Sequence, residues 1–222
     1  MPDPTPPARA ARPNLAVCIS GSGTTLQNLI DRIADGRLDA DIVAVVSSRG
    51  DVGGVDRARR AGLPVVIVER KPTESFSDRV FAAIRSGQPD LVVLAGWLHL
   101  LRVPPDFRAR VLNIHPSLLP AFGGKGMYGR HVHEAALAYG AKISGCTVHF
   151  ADDSYDTGPV IAQRAVPVYD DDTPESLAAR VFEAECEAYP EAIRLIAGGG
   201  WRVEGRRVRF GHAADHSRGG RD

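Results

Sequence analysis

The chain has 222 residues, 44% hydrophobic and 24% charged, as expected of an ordinary globular protein. Its 27 basic and 27 acidic side chains cancel, so no overall field draws it to nucleic acid or to an anionic membrane. No apolar run approaches the ~20 residues of a membrane span, and the Pro-, Ala- and Arg-rich start lacks a secretory apolar core. These features predict a cytoplasmic protein.

Met1 to Pro13 offer little apolar surface and are expected to be disordered, as is the tail from Gly211 to Asp222. Residues 14–210 read as one domain. Leu15–Ser20 begins it as a strand, and Thr24–Ala34 follows as a helix with Leu26, Leu29, Ile30 and Ile33 on one side. Ile42–Ser47 is the next strand, and helix Gly54–Ala61 carries Arg57, Arg59 and Arg60 on a wet face. Strand Val65–Val68, helix Ser75–Arg85 with Val80, Phe81 and Ile84 inward, and strands Leu91–Ala95 and Val111–His115 continue the alternation. Continuous Val, Ile and Leu runs separated by amphipathic helices mark the α/β class. The expected architecture is Rossmann-like, a mostly parallel sheet with helices on both faces.

After His115 the rhythm changes. A Pro- and Gly-rich loop spans Pro116–Arg130, with glycines that suit a lid, followed by helix Val132–Ala138. Strands Ser144–Phe150 and Val160–Pro167 flank an acidic loop. A long helix covers Glu175–Ala197, with Thr173 as N-cap and Pro174 at its first position. Trp201–Phe210 reads as a hairpin around Glu204-Gly205.

The first strand runs into Ser20-Gly21-Ser22-Gly23-Thr24-Thr25, and a helix starts there. Small residues let backbone amides crowd toward an anion at the positive end of the helix. A dinucleotide fingerprint needs a third glycine where Leu26 stands, and an acidic residue where the chain has Ser47-Ser48-Arg49. No nicotinamide cofactor is therefore expected. The Lys of a Walker loop is absent too. A phosphate monoester site and a ligand-free capped turn remain open.

Asn113 and His115 face the same side at the end of their strand, because strand side chains alternate. An amide donor beside an imidazole suits acyl transfer, where negative charge develops on oxygen. Within Asp152-Asp153-Ser154-Tyr155-Asp156, one carboxylate is placed to orient the histidine or accept a proton. Each feature taken alone also fits a strand-end histidine or a solvated loop. His131 and His133 point to different helix faces, and His149 reads as a structural strand histidine. Cys18, Cys146 and Cys186 fit neither a disulfide framework nor a zinc motif, so three reduced thiols and no metal are expected. No Gly-x-Ser-x-Gly elbow supports a serine hydrolase.

Ile19-Ser20-Gly21-Ser22-Gly23-Thr24-Thr25-Leu26, Asn113-Ile114-His115-Pro116-Ser117-Leu118-Leu119-Pro120 and Asp156-Thr157-Gly158-Pro159 occur in the order seen in phosphoribosylglycinamide formyltransferases. Gly124-Lys125-Gly126-Met127-Tyr128-Gly129-Arg130 resembles a common version of a loop in that family. The resemblance runs from about Leu15 to Phe210 and implies the formyltransferase fold. It implies that Asn113, His115 and Asp156 are the catalytic trio. It places the substrate phosphate on Gly23, Thr24 and Thr25, and the ribonucleotide on Glu185. It sets folate against Trp97, Leu98, His99, Leu100, Leu101 and Asn113, with Asp152 and Asp153 beside the pterin. Two departures stand out: the second threonine replaces a common Asn, and His99 replaces a usual basic residue.

The implied reaction moves the formyl group of 10-formyltetrahydrofolate to glycinamide ribonucleotide in purine (IMP) biosynthesis, without metal, by a monomer or homodimer. Three other superfamily activities compete. A deformylase carries an N-terminal regulatory domain for which residues 1–13 are too short, and a methionyl-tRNA formyltransferase carries a C-terminal RNA-binding domain. A sugar-nucleotide formyltransferase fits the phosphate loop less well. A non-catalytic nucleotide- or folate-binding protein is the alternative from another class.

Overall fold

The apolar runs form strands because each is rich in β-branched and leucine side chains and too short for a helix face. In the computed structural model, which describes residues 12–211, they are β1 (Asn14–Ile19), β2 (Asp41–Ser47), β3 (Val65–Ile67), β4 (Leu91–Leu94) and β5 (Val111–His115). These five pair in parallel, in the spatial order β3-β2-β1-β4-β5. Between them lie α1 (Thr24–Ala34), α2 (Gly53–Arg60) and α3 (Phe76–Arg85). A short 3-10 turn at Pro105–Phe107 has no counterpart in the sequence pattern.

The second half contributes α4 (Arg130–Tyr139), β6 (Ile143–Phe150), β7 (Val160–Pro167), α5 (Pro174–Ala197), β8 (Trp201–Glu204) and β9 (Arg207–Phe210). β6 runs antiparallel to β5 and β7, and the β8–β9 hairpin joins β7 through Val160 and Arg207. The sheet has nine strands, ordered β3-β2-β1-β4-β5-β6-β7-β9-β8. It is a mixed, mostly parallel α/β sheet.

Alternation along β1 separates two cores. Leu15, Val17 and Ile19 pack with Leu26 and Leu29 of α1 and with Val181, Tyr189 and Ile193 of α5. Ala16 and Cys18 pack on the other face with Val80, Phe81 and Ile84 of α3. Helices thus cover both faces, which explains why the parallel strands are apolar throughout. The thiols of Cys18, Cys146 and Cys186 are unpaired.

Two local features fix the frame around the cleft. Thr173 accepts from the Ser176 amide while Ser176 accepts from the Thr173 amide, so α5 starts at Pro174 with a capping box. Farther along, the buried Tyr189 hydroxyl lies 3.1 Å from the Leu94 carbonyl and 2.8 Å from that of Leu112. It ties α5 to the carboxyl end of β4 and to the start of β5.

At the start of the described chain, Arg12 pairs with Asp41 and the Pro13 carbonyl accepts from the Asp41 amide. The expectations for residues 1–11 and 212–222 lie outside the described residues. Among the described residues, no helix is long and apolar enough to cross a membrane.

Candidate active site

Parallel strands leave their carboxyl ends facing one edge, and ligands collect where the strand order reverses. Here that edge is formed by β1, β4 and β5. Asn113 and His115 share a face of β5, as alternation requires. The antiparallel register sets His149 opposite Asn113 and Thr147 opposite His115. Asp156 arrives from the β6–β7 connection.

These side chains form one cluster. Asn113 Nδ2 lies 3.1 Å from His149 Nε2, and His149 Nδ1 lies 2.8 Å from the Phe150 carbonyl. The carbonyl can only accept, so His149 Nδ1 carries a proton and, in the neutral ring, Nε2 accepts from the Asn113 amide. One N–H of that amide stays free for a ligand. His115 Nε2 donates to the Phe122 carbonyl at 2.9 Å, and its Nδ1 lies 3.5 Å from Asp156 Oδ2. Asp156 Oδ1 is 3.7 Å from His149 Nε2. The Gly124 amide donates to Asp156 Oδ2 at 2.9 Å.

The loop after β5 is therefore a cradle. Phe122 and Asp156 both adopt left-handed backbone conformations, φ 53° and 58°, which cost a side-chain-bearing residue about 1–2 kcal/mol each. A Cβ on Gly123 would come within 2.5 Å of Leu119 Cδ2 and 3.4 Å of Asp156 Cβ. Only a glycine lets the loop press this closely on the carboxylate.

Burial lowers the pKa of His115, although the charge of Asp156 opposes that shift. Burial therefore favours the neutral ring. Burial also works to raise Asp156, but the His149 side chain, the charge of His115 and the Gly124 amide outweigh it. The net effect holds Asp156 below the usual carboxylate range, ionised at neutral pH. The site therefore sets the Asn113 amide and the His115 ring beside a fixed anion.

The cluster opens into a cleft of about 730 Å³, within the range of small-molecule sites. Thr25, Trp97, Leu98, His99, Leu100, Leu101, Asn113, His115, Asp152, Asp156 and Glu185 all line it. Gly23 and Thr24 lie outside the lining, immediately before Thr25. Asp153 lies outside it too, and its carboxylate accepts from the Val103 amide.

The segment after β4 alternates in burial. Trp97 and Leu101 are buried, with Trp97 stacked on Phe76 at 5.8 Å, whereas Leu98 and Leu100 are exposed. Burial holds the pKa of His99, which sits edge-on to Trp97 and Phe76, below the ordinary histidine value, and Arg70 lowers it further. His99 thus supplies an uncharged ring where the resemblance anticipates a cation. Asp152 caps its own loop through Ser154 and Thr157.

At the other end, Gly23 is the N-cap of α1 with φ 73° and no side-chain cap bond, so the first amides of α1 stay open. Glu185 lies half-buried on the wall without a hydrogen bond or ion pair to any described residue. Burial pushes its carboxyl up to about 7. Lys125 and Tyr128 of the glycine-rich loop line the cleft between α5 and the cluster.

Several contributors escaped the sequence reading. His149 acts on Asn113 and Asp156 rather than on structure alone, and its pairing opposite Asn113 was the available signal. The Phe122 carbonyl and the Gly124 amide are backbone groups that no residue-type pattern reveals. Arg57 is not on a wet face: its guanidinium lies against Ser22 and Gln27. Among the described residues, no group of three or more His, Cys, Asp or Glu side chains is placed to hold a metal.

An amide, two imidazoles and a carboxylate gathered at the strand ends of a Rossmann-like sheet, beside an open helix N-terminus, fit a group-transfer enzyme. The chain belongs to the formyl transferase family, whose profile matches residues 13–193. It is 42% identical over 202 residues to the chloroplastic phosphoribosylglycinamide formyltransferase of Arabidopsis thaliana, spanning 87% of this chain and 69% of that protein. The structure of glycinamide ribonucleotide transformylase 1 from Symbiobacterium toebii superimposes with a TM-score of 0.82 at 42% identity, covering 90% of this chain and 94% of that one. A formyltetrahydrofolate deformylase from Pseudomonas syringae also shares the fold, with a TM-score of 0.80 at 25% identity over 91% of this chain and 67% of that one.

Proposed function

We propose that this chain transfers the formyl group of 10-formyltetrahydrofolate to the amine of glycinamide ribonucleotide, a step of de novo purine biosynthesis, in the cytoplasm. The observation that carries the reading is that Asn113, His115 and Asp156 line one cleft together with Thr25 at the start of α1, the Glu185 carboxylate and the apolar segment Trp97–Leu101. A ribonucleotide and a folate would meet at that cluster.

In this mechanism the phosphate is held by the open amides beyond Gly23, with Thr24 and Thr25 adding hydroxyls. Glu185 accepts hydrogen bonds from the ribose hydroxyls. The folate lies along Leu98 and Leu100, bordered by Asp152. The amine attacks the formyl carbon, forming a C–N bond while the carbonyl electrons move to oxygen. The free N–H of Asn113 and, in the ring's protonated form, the Nδ1–H of His115 stabilise that oxyanion. Asp156 takes the proton lost by the new ammonium and passes it, directly or through water, to the folate N10 as the C–N10 bond breaks. The remote phosphate supplies binding energy that positions the amine.

The test is absorbance at the folate product, with and without added ribonucleotide. Product that depends on the ribonucleotide supports transfer. Equal product without it points to water as the acceptor, as in the deformylase, and no product in either case points to a binding protein.

A further inference from the structure

Several arginines face a carboxylate: Arg49 meets Asp51, Arg85 meets Asp106, Arg164 meets Glu191 and Arg180 meets Asp172. Arg57 on α2 makes no ion pair with any described residue. Its Nε donates to the Ser22 carbonyl at 3.0 Å, and its Nη1 donates to Gln27 Oε1 at 3.2 Å. Gln27 in turn donates to Asp31 at 2.8 Å. A half-buried cation is thus fixed by two neutral acceptors, directly behind the loop that precedes α1.

The backbone there is packed without side chains. A Cβ on Gly23 would fall 2.4 Å from Gly54 Cα and 3.5 Å from Arg57 Cδ. A Cβ on Gly54 would meet Ile19 Cδ1 at 2.7 Å and the Gly21 carbonyl at 3.0 Å. The Gly54 amide donates to that same carbonyl at 3.1 Å. The start of α2 therefore backs the Ser20–Gly23 loop, and Arg57 reaches round from the next turn to grip Ser22.

In a trans peptide the carbonyl and the following N–H point in opposite directions. Pulling the Ser22 oxygen toward Arg57 aims the Gly23 N–H away from α2, toward the open end of α1. We infer that Arg57 is a positioning residue for the ribonucleotide phosphate: its guanidinium locks the Ser22–Gly23 peptide in the anion-receiving orientation and leaves a positive charge unneutralised behind it. The inference rests on the proposed function only for the identity of the phosphate ester. The orientation of the loop stands independently of that reading.

The experiment compares the parent with Arg57→Ala and Arg57→Lys in two assays. In steady state the ribonucleotide is varied and inorganic phosphate serves as the competing anion; separately, thermal stabilisation by inorganic phosphate is followed. For Arg57→Ala, the KM for ribonucleotide and the inhibition constant for phosphate are expected to rise about tenfold, equivalent to ~1.4 kcal/mol. Turnover and the KM for folate should stay within about threefold of the parent, the split expected of uniform binding. Phosphate should stabilise the variant less than the parent. Lysine keeps the charge but cannot span Ser22 and Gln27 together, so Arg57→Lys should stay nearer alanine than parent.

Unchanged phosphate affinity in either variant, full recovery by lysine, or a fall in turnover at constant KM would each overturn the positioning role. A parent stabilised by phosphate but lacking ribonucleotide-dependent product would sink the proposed function instead, leaving the anion-loop comparison intact.

Discussion

The chemistry of individual side chains in the cleft is set by their neighbours. Asn113 keeps one amide N–H free because His149 receives the other, so Asn113→Ala is expected to lower turnover ~10²–10³-fold. Asp156→Asn keeps the shape but loses the base, and is expected to fall by a similar factor with little loss of thermal stability; near-parental rates for both variants would contradict the mechanism. Glu185 makes a different kind of prediction. Its folded pKa of about 7 exceeds the reference 4.5, so between those values the folded chain holds a proton that the unfolded chain has released. Stability from this group is therefore complete below about 4.5 and lost as pH rises through about 7. Glu185→Gln should flatten the decline in melting temperature across that window, and it should raise the ribonucleotide KM about tenfold or more by losing a charged acceptor. An unchanged slope would show that the carboxyl is not held protonated.

Elements explain why some of this was legible in the sequence. Alternation along β5 put Asn113 and His115 on one side, and the strand–glycine–helix run marked the anion loop, because both signals are local and periodic. Asp156 became convincing only through resemblance, since an acidic loop has no period and its partner His115 lies across a sheet pairing. The Phe122 carbonyl, the Gly124 amide and the grip of Arg57 on Ser22 were not legible, because they depend on how loops fold back rather than on residue type. Element boundaries differed by one or two residues, as at α4, where the helix begins at Arg130 instead of Val132. Tyr189 shows how one element holds another: Tyr189→Phe strips a buried donor from the carbonyls of Leu94 in β4 and Leu112 in β5 and should cost about 1–3 kcal/mol in urea unfolding. Gly158→Ala should be worse, because its Cβ would fall 1.7 Å from the Phe150 carbonyl and displace the turn that carries Asp156. A variant that folds with parental activity would show that the turn does not set the carboxylate.

For the molecule as a whole, the parallel half of the sheet supplies the glycine loop before α1 and the strand-end side chains Asn113 and His115. The antiparallel half supplies His149, Asp156 and, through α5, Glu185. The site exists only where the two halves meet, at β5 and β6. The class of fold followed from composition and periodicity, but the antiparallel turn after β5 and the joining of the terminal hairpin to β7 depended on long-range pairing that no local pattern encodes. The deformylase from Pseudomonas syringae shares the fold, so the acceptor is what a measurement must separate. The most direct measurement follows isotopic label from the formyl carbon of 10-formyltetrahydrofolate in the presence of glycinamide ribonucleotide. The account predicts label in the ribonucleotide, in proportion to tetrahydrofolate formed. Label recovered as formate at the same rate, whether or not the ribonucleotide is present, would contradict it.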